Sequence, residues 1–383
     1  MAPIKKIRIA VLYGGRSSEH EISLRSASSV IKNLDPAKYE IIPIGIDKQG
    51  KWQLGSLALL QKHAGEALPE VLNQVPVVLP PHPADGAPTL LPIPQAASAP
   101  ARTESFDVVF PVMHGQYCED GTIQGFLELA DVPYVGAGVL ASSVGMDKAV
   151  AKRLAEYAGV KVTPYRVLKK AEWQRGAEAF LKEAVQALGY PLFVKPVCQG
   201  SSVGVHKVKK WEDLQPALKD AFDYDLKVLL EKGIAAREIE FSVLENPDHG
   251  APPLVSVAGE IIPKHEFYSY EAKYLDDNGA ELLIPARLTP EQLKQAQVMA
   301  AQAFDALECE GMARVDLFLD RNTGEFYFNE VNTLPGFTSI SMYPKLWEAS
   351  GIPYKELLSK LIDLAISRHE RRRALKKDYA PPK

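Results

Sequence analysis

Residues 311–342, GMARVDLFLDRNTGEFYFNEVNTLPGFTSISM, decide the fold of this chain. Two β-rich runs, Ala313–Leu319 and Glu325–Val331, flank the turn signal DRNTG at 320–324, and this pattern predicts a β-hairpin. Because side chains alternate along a strand, each run presents one face to the core and one away from it. The hairpin therefore determines which side chains of the two runs meet.

Polar groups occupy positions where a buried hairpin normally carries apolar side chains. Alternation places Glu330 and Asn332 on one face of the second run, together with Phe326 and Phe328. Asp316 lies on the opposed run. Carboxylate and amide oxygens are the ligands that Mg²⁺ prefers, and this ion commonly shares its shell with substrate phosphates. The hairpin is therefore predicted to bind metal.

The register of the hairpin decides whether the two carboxylates meet. A five-residue connection, Arg321–Glu325, pairs Asp316 with Glu330, whereas a four-residue connection pairs Asp316 with Asn329 and points Glu330 away. We predict the register, or a bulge near the turn, that lets both carboxylates reach the same ions. The alternative is an exposed hairpin with solvated acids. A third ligand, the nearby Arg314 and the PGFTS turn that follows all disfavour it.

Bulk properties limit the classes of function. The 383 residues, 46% hydrophobic and 24% charged, are typical of a soluble protein of two or three domains. A net charge of −4 gives no sign of the excess positive charge that binding to nucleic acid or an acidic membrane surface usually requires. The three cysteines lack metal-ligand spacing, and neither a signal peptide nor an apolar run of ~20 residues is found. We expect a cytoplasmic protein with no nucleic-acid or membrane partner.

The N-terminal third has an α/β pattern. A β run at 6–13, the turn GGRSSEHE at 14–21 and a helical stretch at 22–34 follow one another. The G-x-G-x-x-G fingerprint is absent, which argues against an NAD-type oxidoreductase. Residues 55–104 contain nine prolines between Pro69 and Pro100, and we interpret them as an irregular, partly strand-bearing insertion outside the core.

Several single motifs remain ambiguous by themselves. Glu21 could simply complement the dipole of its helix, and His114, at a strand end, fits a structural or a ligand-binding role equally well. The loop CQGSSVG at 198–204 fits a phosphate-covering flap or a plain Gly-rich hairpin. The polar-aromatic stretch 264–285 predicts a lid, and the basic stretch 366–383 predicts a solvated helix end.

Taken together, these motifs resemble a known family. Lys148, Lys195-Pro, Glu231-Lys232, R-x-D at 314–316 and NEVN at 329–332 resemble ATP-grasp ligases. More specifically, EHEIS at 19–23, HG at 114–115, EDGTIQG at 119–125, EAKY at 271–274 and NTLPGFTSIS at 332–341 resemble the D-alanine–D-alanine ligase family. The resemblance runs over about residues 6–350.

The resemblance implies an α/β (α+β) fold of three domains, the ATP-grasp fold with an N-terminal Rossmann-like parallel-sheet domain. The expected domains are 1–140, 141–232 and 233–383, the last carrying the lid and the metal-binding hairpin. One position departs from the family pattern, because Cys118 stands where the family usually has Gly. The loop around it is expected to differ in shape if that position needs a positive φ.

The resemblance also implies an activity, in which two D-alanines are joined through a D-alanyl phosphate with release of ADP and phosphate, for peptidoglycan precursor synthesis. The implied cofactors are ATP and two Mg²⁺, with Mn²⁺ able to substitute, and a homodimer is expected. At the phosphates, the resemblance implies contacts from Lys148 and Lys195, with Ser201 and Ser202 covering them and Lys273 at the γ-phosphate. At the nucleoside, it implies Glu231, Lys232 and Ile234 around adenine, Phe267 on one adenine face and Glu238 at the ribose. Asn329 and Glu330 are expected beside the nucleotide as well.

The remaining implied roles concern the metal ions and the amino acids. Asp316 and Glu330 would hold one Mg²⁺, and Glu330 and Asn332 the second. Glu21 is expected to bind the ammonium of the first D-alanine, with Ser201 and Tyr274 hydrogen-bonded to Glu21 and His114 nearby. Arg314 and the Gly336 amide are expected to stabilise the oxyanion, and Ser341 to bind the carboxylate of the second D-alanine. Tyr274 argues for an amine acceptor instead of D-lactate.

Two rival interpretations remain. Another ATP-grasp carboxylate–amine ligase is disfavoured by Glu21, Tyr274 and Ser341, each of which has a task specific to small D-amino acids. A non-catalytic nucleotide-binding module is disfavoured by Arg314 and the three metal ligands, since binding ATP alone needs no oxyanion partner.

Overall fold

The computed structural model describes residues 5–57, 75–93, 103–263 and 280–376. Most of the predicted lid, and parts of the Pro-rich insertion and of the basic C-terminal stretch, lie outside these ranges. Within them, no helix is long and apolar enough to cross a bilayer.

The N-terminal part is a seven-stranded sheet in the order β6-β5-β4-β3-β2-β1-β7. Its centre is parallel, with β1 between β2 and β7, as the α/β pattern predicts. Strands β3 to β6 extend it in antiparallel fashion. The elements are β1 Ile7–Gly14, α1 His20–Asn33, β2 Tyr39–Ile46, β3 Trp52–Leu54, β4 Val75–Val78, β5 Thr89–Pro92, β6 Glu104–Ser105, β7 Val108–Pro111 and α2 Thr122–Leu129.

The insertion contributes to the core, contrary to the sequence-based expectation. Its strands β4 and β5 pair with each other, and Leu90 is fully buried among the residues of the N-terminal core. Val77 is buried in the same cluster. Strands were expected in the insertion, but its proline-rich composition did not show that they would join the sheet and pack into the core.

The central part is a four-stranded antiparallel sheet in the order β10-β9-β11-β8. Leu192 and Val194 of β9 and Val228 and Leu230 of β11 are fully buried against flanking helices, as alternation along a half-buried strand requires. The elements are α3 Val139–Met146, α4 Lys148–Tyr157, β8 Tyr165–Lys169, α5 Lys170–Gln174, α6 Glu178–Leu188, β9 Leu192–Pro196, β10 His206–Val208, α7 Trp211–Tyr224 and β11 Lys227–Lys232.

The C-terminal part is a six-stranded sheet in the order β15-β14-β12-β16-β17, with β13 paired to β12. Helix α8 begins with a capping box in which Thr289 and Gln292 bond each other's backbone, and it packs on this sheet. The elements are β12 Ala236–Leu244, β13 Leu254–Val255, β14 Gly259–Pro263, β15 Ala280–Leu283, α8 Pro290–Ala306, β16 Met312–Asp320, β17 Phe326–Asn332, α9 Met342–Ala349 and α10 Tyr354–Arg373.

Helix packing crosses the expected domain limits at two places. The apolar face of α10, which includes Leu357 and Leu361, is buried in the N-terminal core, although 233–383 was expected to be one unit. Ala151 and Ala155 of α4 pack in the core of the C-terminal sheet. The N-terminal and C-terminal parts are therefore joined by shared hydrophobic cores.

The basic end of α10 is solvated only in part, since Arg373 is 64% exposed but Arg368 is not. Arg368 is only 4% exposed, and its guanidinium donates to the carbonyls of Gly136, at 2.6 Å, and Tyr134, at 2.8 Å. Arg372 pairs with Glu310 at 2.9 Å, and His369 Nε2 lies 3.0 Å from the Asp131 carbonyl oxygen. Arg368 and His369 therefore hold α10 against the residues that follow α2, and Arg372 holds it to the segment before β16.

Candidate active site

The hairpin forms as predicted, and its register brings the two carboxylates together. Asp316 on β16 lies opposite Glu330 on β17, so the predicted pairing is confirmed. Near the turn the connection is short, since Asp320 N–H bonds the Glu325 carbonyl at 3.0 Å. A register shift between Asp316 and Leu317 leaves Asn329 as an extra residue on β17. The bulge therefore lies in the middle of the hairpin and not near the turn.

The bulge also corrects the predicted face of β17. Phe326 and Phe328 are buried in the C-terminal core, and Leu317 lies in the same cluster. Past Asn329 the alternation is reversed, so that Glu330 and Asn332 point to the opposite face. The prediction that all four side chains share one face was wrong, because it assumed regular alternation.

Three carboxylates form a row across adjacent strands. Glu240 on β12 is in register with Asp316, which is in register with Glu330. Arg314 bonds both oxygens of Asp316, at 2.8 and 2.7 Å, and its Nε lies 3.1 Å from Glu240 Oε2. Asn332 donates to Asp316 Oδ2 at 3.0 Å. Burial alone lowers the pKa of Arg314, but Asp316 and Glu240 outweigh it and hold that pKa well above the usual value.

Lys148 reaches the same row from the first turn of α4. Its Nζ lies 3.0 Å from Glu330 Oε2 and donates to the Gln199 carbonyl at 2.8 Å. Asp147 caps this helix by accepting from the amides of Ala149 and Val150. Burial lowers the pKa of Lys148, but Glu330 outweighs burial and the pKa is raised. The predicted phosphate lysine therefore meets the predicted metal ligand.

Lys195 and Glu231 form a buried ion pair between neighbouring strands β9 and β11. Their closest atoms, Nζ and Oε2, are 2.5 Å apart. A second ammonium, that of Lys152, lies 2.7 Å from Glu231 Oε1, and sequence reasoning did not single it out. Burial raises the pKa of Glu231, but the two lysines outweigh it and the pKa is lowered.

The loop after β9 contacts the first helix through Glu19 and not through Glu21. Ser201, at φ 52°, donates its hydroxyl to Glu19 Oε1 at 2.5 Å, while Glu19 is only 8% exposed. The Glu21 side chain is 60% exposed and pairs with Lys48 at 2.5 Å. Glu19 is the N-cap residue just before α1, whereas Glu21 lies in the first turn of the helix. Placing Glu21 at the site was wrong, because its side chain points to solvent and pairs with Lys48.

His114 lies beside Glu119 on the floor of the same region. Its Nδ1 is 3.7 Å from Glu119 Oε1, and its Nε2 is 3.1 Å from Ser26 Oγ. Burial lowers the pKa of His114, but Glu119 and Glu19 outweigh burial and the pKa is raised. Burial raises the pKa of Glu119, with a further contribution from Glu19. A Cβ on Gly115, at φ 75°, would lie 3.0 Å from a Glu19 oxygen, so this position needs glycine.

Cys118 does not strain the neighbouring loop. It is buried in the N-terminal core, and Tyr117 and not Cys118 has the positive φ, 66°. Its carbonyl accepts a 2.7 Å bond from the side-chain amide of Gln124. A glycine is therefore not required at this position.

The turn after β17 closes one side of the site. Ser341, the N-cap residue of α9, accepts from the Thr338 amide at 3.0 Å and lies 2.7 Å from the Thr338 hydroxyl. A Cβ on Gly336 would lie 2.8 Å from Ser341 Oγ. Gly336 therefore lies directly against the side chain of Ser341, with no room for a side chain of its own.

The other residues predicted to bind the nucleotide lie on or beside the central sheet or on β12 of the C-terminal sheet. Lys232 ends β11, with its amide bonded to the Pro164 carbonyl at 2.9 Å, and Ile234 follows in the connection to β12. Glu238 lies on β12 of the C-terminal sheet, opposite Phe318 on β16, and Ser202 has φ 59°. Phe267, Lys273 and Tyr274 lie outside the described residues.

One cleft of about 910 Å³ is lined by eight of the predicted site residues. It is bounded by β17 and the turn after it, by the start of α4, by the loop after β9 and by α1. The predicted residues in its lining are His114, Lys148, Ser201, Arg314, Glu330, Asn332, Gly336 and Ser341, and Glu19, Glu119 and Glu240 line it as well.

Comparison with known families agrees with this geometry. Residues 8–137 match the family model described as D-ala D-ala ligase N-terminus, and residues 154–363 match D-ala D-ala ligase C-terminus. The chain belongs to the D-alanine–D-alanine ligase family. Its members are ligases, and the predicted ATP-grasp fold is confirmed by the solved structures described below.

Curated family members match nearly the full chain. A D-alanine–D-alanine ligase A of Bradyrhizobium diazoefficiens is 56% identical over 98% of this chain and 99% of its own length. A D-alanine–D-alanine ligase of Geobacillus thermodenitrificans is 46% identical over 97% of this chain and 98% of its own.

Solved structures match as well. The D-alanine–D-alanine ligase from Coxiella burnetii has a TM-score of 0.78 and 36% identity, covering 97% of both chains. The VanG D-Ala:D-Ser ligase from Enterococcus faecalis has a TM-score of 0.80 and 37% identity, covering 94% of this chain and 100% of its own.

Proposed function

We propose that this chain joins two D-alanines into D-alanyl-D-alanine, using ATP and passing through a D-alanyl phosphate. One observation carries the proposal. A single cleft is lined by Glu19, an acid suited to bind an ammonium group, and by groups suited to a phosphate site. These groups are the cations Lys148 and Arg314 and the carboxylate of Glu330. A D-amino acid bound between them has its ammonium at Glu19 and its carboxylate at the phosphate end.

In the first step, a carboxylate oxygen of the first D-alanine attacks the γ-phosphorus of ATP, and the bond to the leaving ADP oxygen breaks. Phosphoryl transfer requires positioning and charge neutralisation more than covalent help from the protein. Lys148 and Lys195 supply positive charge at the phosphates, and the backbone of Ser201 and Ser202 covers them. Glu231, Lys232, Ile234 and Glu238 would surround the nucleoside, with Phe267 on one adenine face and Lys273 at the γ-phosphate.

The hairpin residues fit Mg²⁺ by their donor chemistry. Asp316, Glu330 and Asn332 offer only oxygen donors, and a phosphate-bound Mg²⁺ needs only one or two carboxylates from the protein. Asp316 and Glu330 would hold one ion, and Glu330 and Asn332 the other, with Asn329 beside them. Bound Mg²⁺ supplies neutralisation of the phosphate charge. Arg314 and Lys148, which pair with Asp316 and Glu330, would supply the positive charge that faces the substrate.

In the second step, the neutral amine of the second D-alanine attacks the acyl carbon, and a tetrahedral oxyanion forms before phosphate leaves. Arg314 and the Gly336 amide stabilise this oxyanion, an effect worth several kcal/mol as an order of magnitude. Ser341 binds the carboxylate of the second D-alanine. The Ser201–Glu19 bond would close the flap over the first D-alanine and keep water from the acyl phosphate, and Tyr274 is proposed to join it.

The setting of the reaction follows from the family. D-alanyl-D-alanine is a peptidoglycan precursor, and we propose that this chain produces it as a cytoplasmic homodimer.

An ADP-release assay with Mg-ATP tests the activity. We expect turnover with D-alanine alone, none with L-alanine alone, and no dependence on added D-serine or D-lactate. Turnover only when D-serine or D-lactate is present would overturn the choice of second substrate.

A further inference from the structure

Lys152 carries a charge in the interior that the proposed mechanism does not use. It is 1% exposed, and its Nζ lies 2.7 Å from Glu231 Oε1 and 3.1 Å from the Phe328 carbonyl oxygen that accepts its hydrogen bond. The ammonium is also 6.0 Å from the centroid of the Phe328 ring. An ammonium without water is costly unless it is paired, so this position is built for a lysine.

Glu231 is shared between two ammonium groups. Lys195 contacts one oxygen at 2.5 Å and Lys152 the other at 2.7 Å. One carboxylate cannot neutralise both lysines, so the three groups together keep one excess positive charge. Burial lowers the pKa of Lys152, Glu231 raises it again, and the net direction is downward.

Lys152 also contacts the strand that carries the metal ligands. Lys148 and Lys152 are four residues apart on α4 and so project from one face of it. Lys148 pairs with Glu330, and Lys152 bonds the carbonyl of Phe328. Phe328 and Glu330 are the residues on either side of Asn329, so the two lysines hold the bulge between them.

We infer that Lys152 is a positioning residue of the nucleotide site. Because Lys152 and Lys195 share the single carboxylate of Glu231, the positive charge of Lys195 is not fully neutralised and remains available to bind the phosphates. Without Lys152, Glu231 and Lys195 form a closed pair with no net charge. The phosphate end of the cleft then loses attraction for a nucleotide, while contacts to the nucleoside remain. This inference rests on the proposed function, since it assumes that the cleft binds phosphates.

The test compares two probes, ADP and adenosine, by calorimetry in the presence of a chelator, so that metal binding does not contribute. The readout is the ratio of the two affinities, which cancels the adenine and ribose contacts. In Lys152→Met we expect this ratio to fall roughly tenfold, the scale of one unit charge near a partly buried phosphate. Lys161→Ala is the matched control, because Lys161 pairs with Glu325 of the same hairpin but is 59% exposed.

The double variant Lys152→Met, Glu231→Gln separates charge from packing. It leaves Lys195 as the one charge of the group, so the ratio should return to within about twofold of the wild-type value. A ratio unchanged in Lys152→Met, or still low in the double variant, would overturn the inference. If Lys152→Met does not fold, the inference is tested with the double variant and with Glu231→Gln alone. For Glu231→Gln, the ratio of ADP affinity to adenosine affinity should be at least as high as in the wild type.

The wild-type protein checks the premise separately. An ADP-to-adenosine affinity ratio near one in the unmodified chain would contradict the phosphate site itself and hence the proposed function. A high wild-type ratio that Lys152→Met leaves unchanged would contradict only the role of Lys152.

Discussion

The hydroxyl of Ser201 donates to the carboxylate of Glu19 over 2.5 Å, joining the loop after β9 to the start of α1. These residues are 182 positions apart in the chain, yet the contact links the flap of the central sheet to the floor of the N-terminal sheet. A substrate ammonium bound to Glu19 would therefore directly affect the hydrogen bond that holds the loop over the phosphates.

Glu19 and Glu21 provide a matched pair of substitutions. Glu19→Gln removes the charge that faces the first ammonium, and a hydrogen bond to a charged group contributes about 1.5–3 kcal/mol. We expect KM for D-alanine to rise by about ten- to a hundredfold. Glu21→Gln alters an exposed side chain and should leave KM within about twofold. Initial rates over a D-alanine series decide, and the reverse ranking would restore Glu21 to the site.

Substitution of the hairpin acids should separate metal binding from packing. Asp316→Asn keeps the shape but removes one of the charges proposed to hold Mg²⁺, so kcat should fall by about a hundredfold or more. The Mg²⁺ concentration for half-maximal rate should rise as well. Glu325→Gln, on the same hairpin but 45% exposed, is the control. Equal Mg²⁺ dependence in Asp316→Asn and wild type would remove Asp316 from the proposed site.

The His114–Glu119 pair predicts a pH effect of known sign. The pKa of His114 is raised in the folded chain, above an ordinary value of about 6.5. Its protonation therefore stabilises the fold fully below about 6.5, and that stability is lost as pH rises through the folded pKa. In Glu119→Gln the main group that raises the pKa is gone, and burial should bring the pKa of His114 below that of wild type. Titration of the imidazole by NMR measures this, and an equal or higher pKa would contradict it.

Arg368 should contribute more to stability than its neighbours on α10. Its loss leaves two buried carbonyls, those of Tyr134 and Gly136, without their donor. Arg368→Met should lower the free energy of unfolding by about 2–4 kcal/mol. Arg373, 64% exposed and 3.4 Å from Asp131, is the control, and its replacement by Met should cost less than about 1 kcal/mol. Urea unfolding monitored by circular dichroism compares them, and equal losses would argue against the buried contacts.

The sequence was sufficient for elements whose local signals agree. The hairpin at 311–342 was located because β-rich runs flank a clear turn signal, and its acids were recognised by residue type. The bulge at Asn329 was not predictable, because alternation alone cannot show where an extra residue enters a strand. Glu240 was missed for a related reason, since only the pairing of β12 with β16 places it beside Asp316.

Burial of charged residues was the least predictable feature. Lys152 and Arg368 lie on helices that also carry exposed basic residues, Arg153 and Arg373, and residue type does not distinguish the buried from the exposed ones. Their burial depends on contacts with residues 176 and 232 positions away in the chain, Phe328 and Gly136. Glu19 was missed for another reason, since where α1 begins decides which glutamate of EHEIS precedes the helix, and that start was predicted two residues late.

The most direct test of the central claim follows the oxygen atoms. D-alanine labelled with heavy oxygen in its carboxylate is incubated with Mg-ATP and the protein, and the phosphate and dipeptide are analysed by mass spectrometry. If a D-alanyl phosphate forms in this cleft, one labelled oxygen passes from D-alanine to each phosphate as D-alanyl-D-alanine accumulates. Dipeptide formed with unlabelled phosphate, or ATP hydrolysed without dipeptide, would contradict the account.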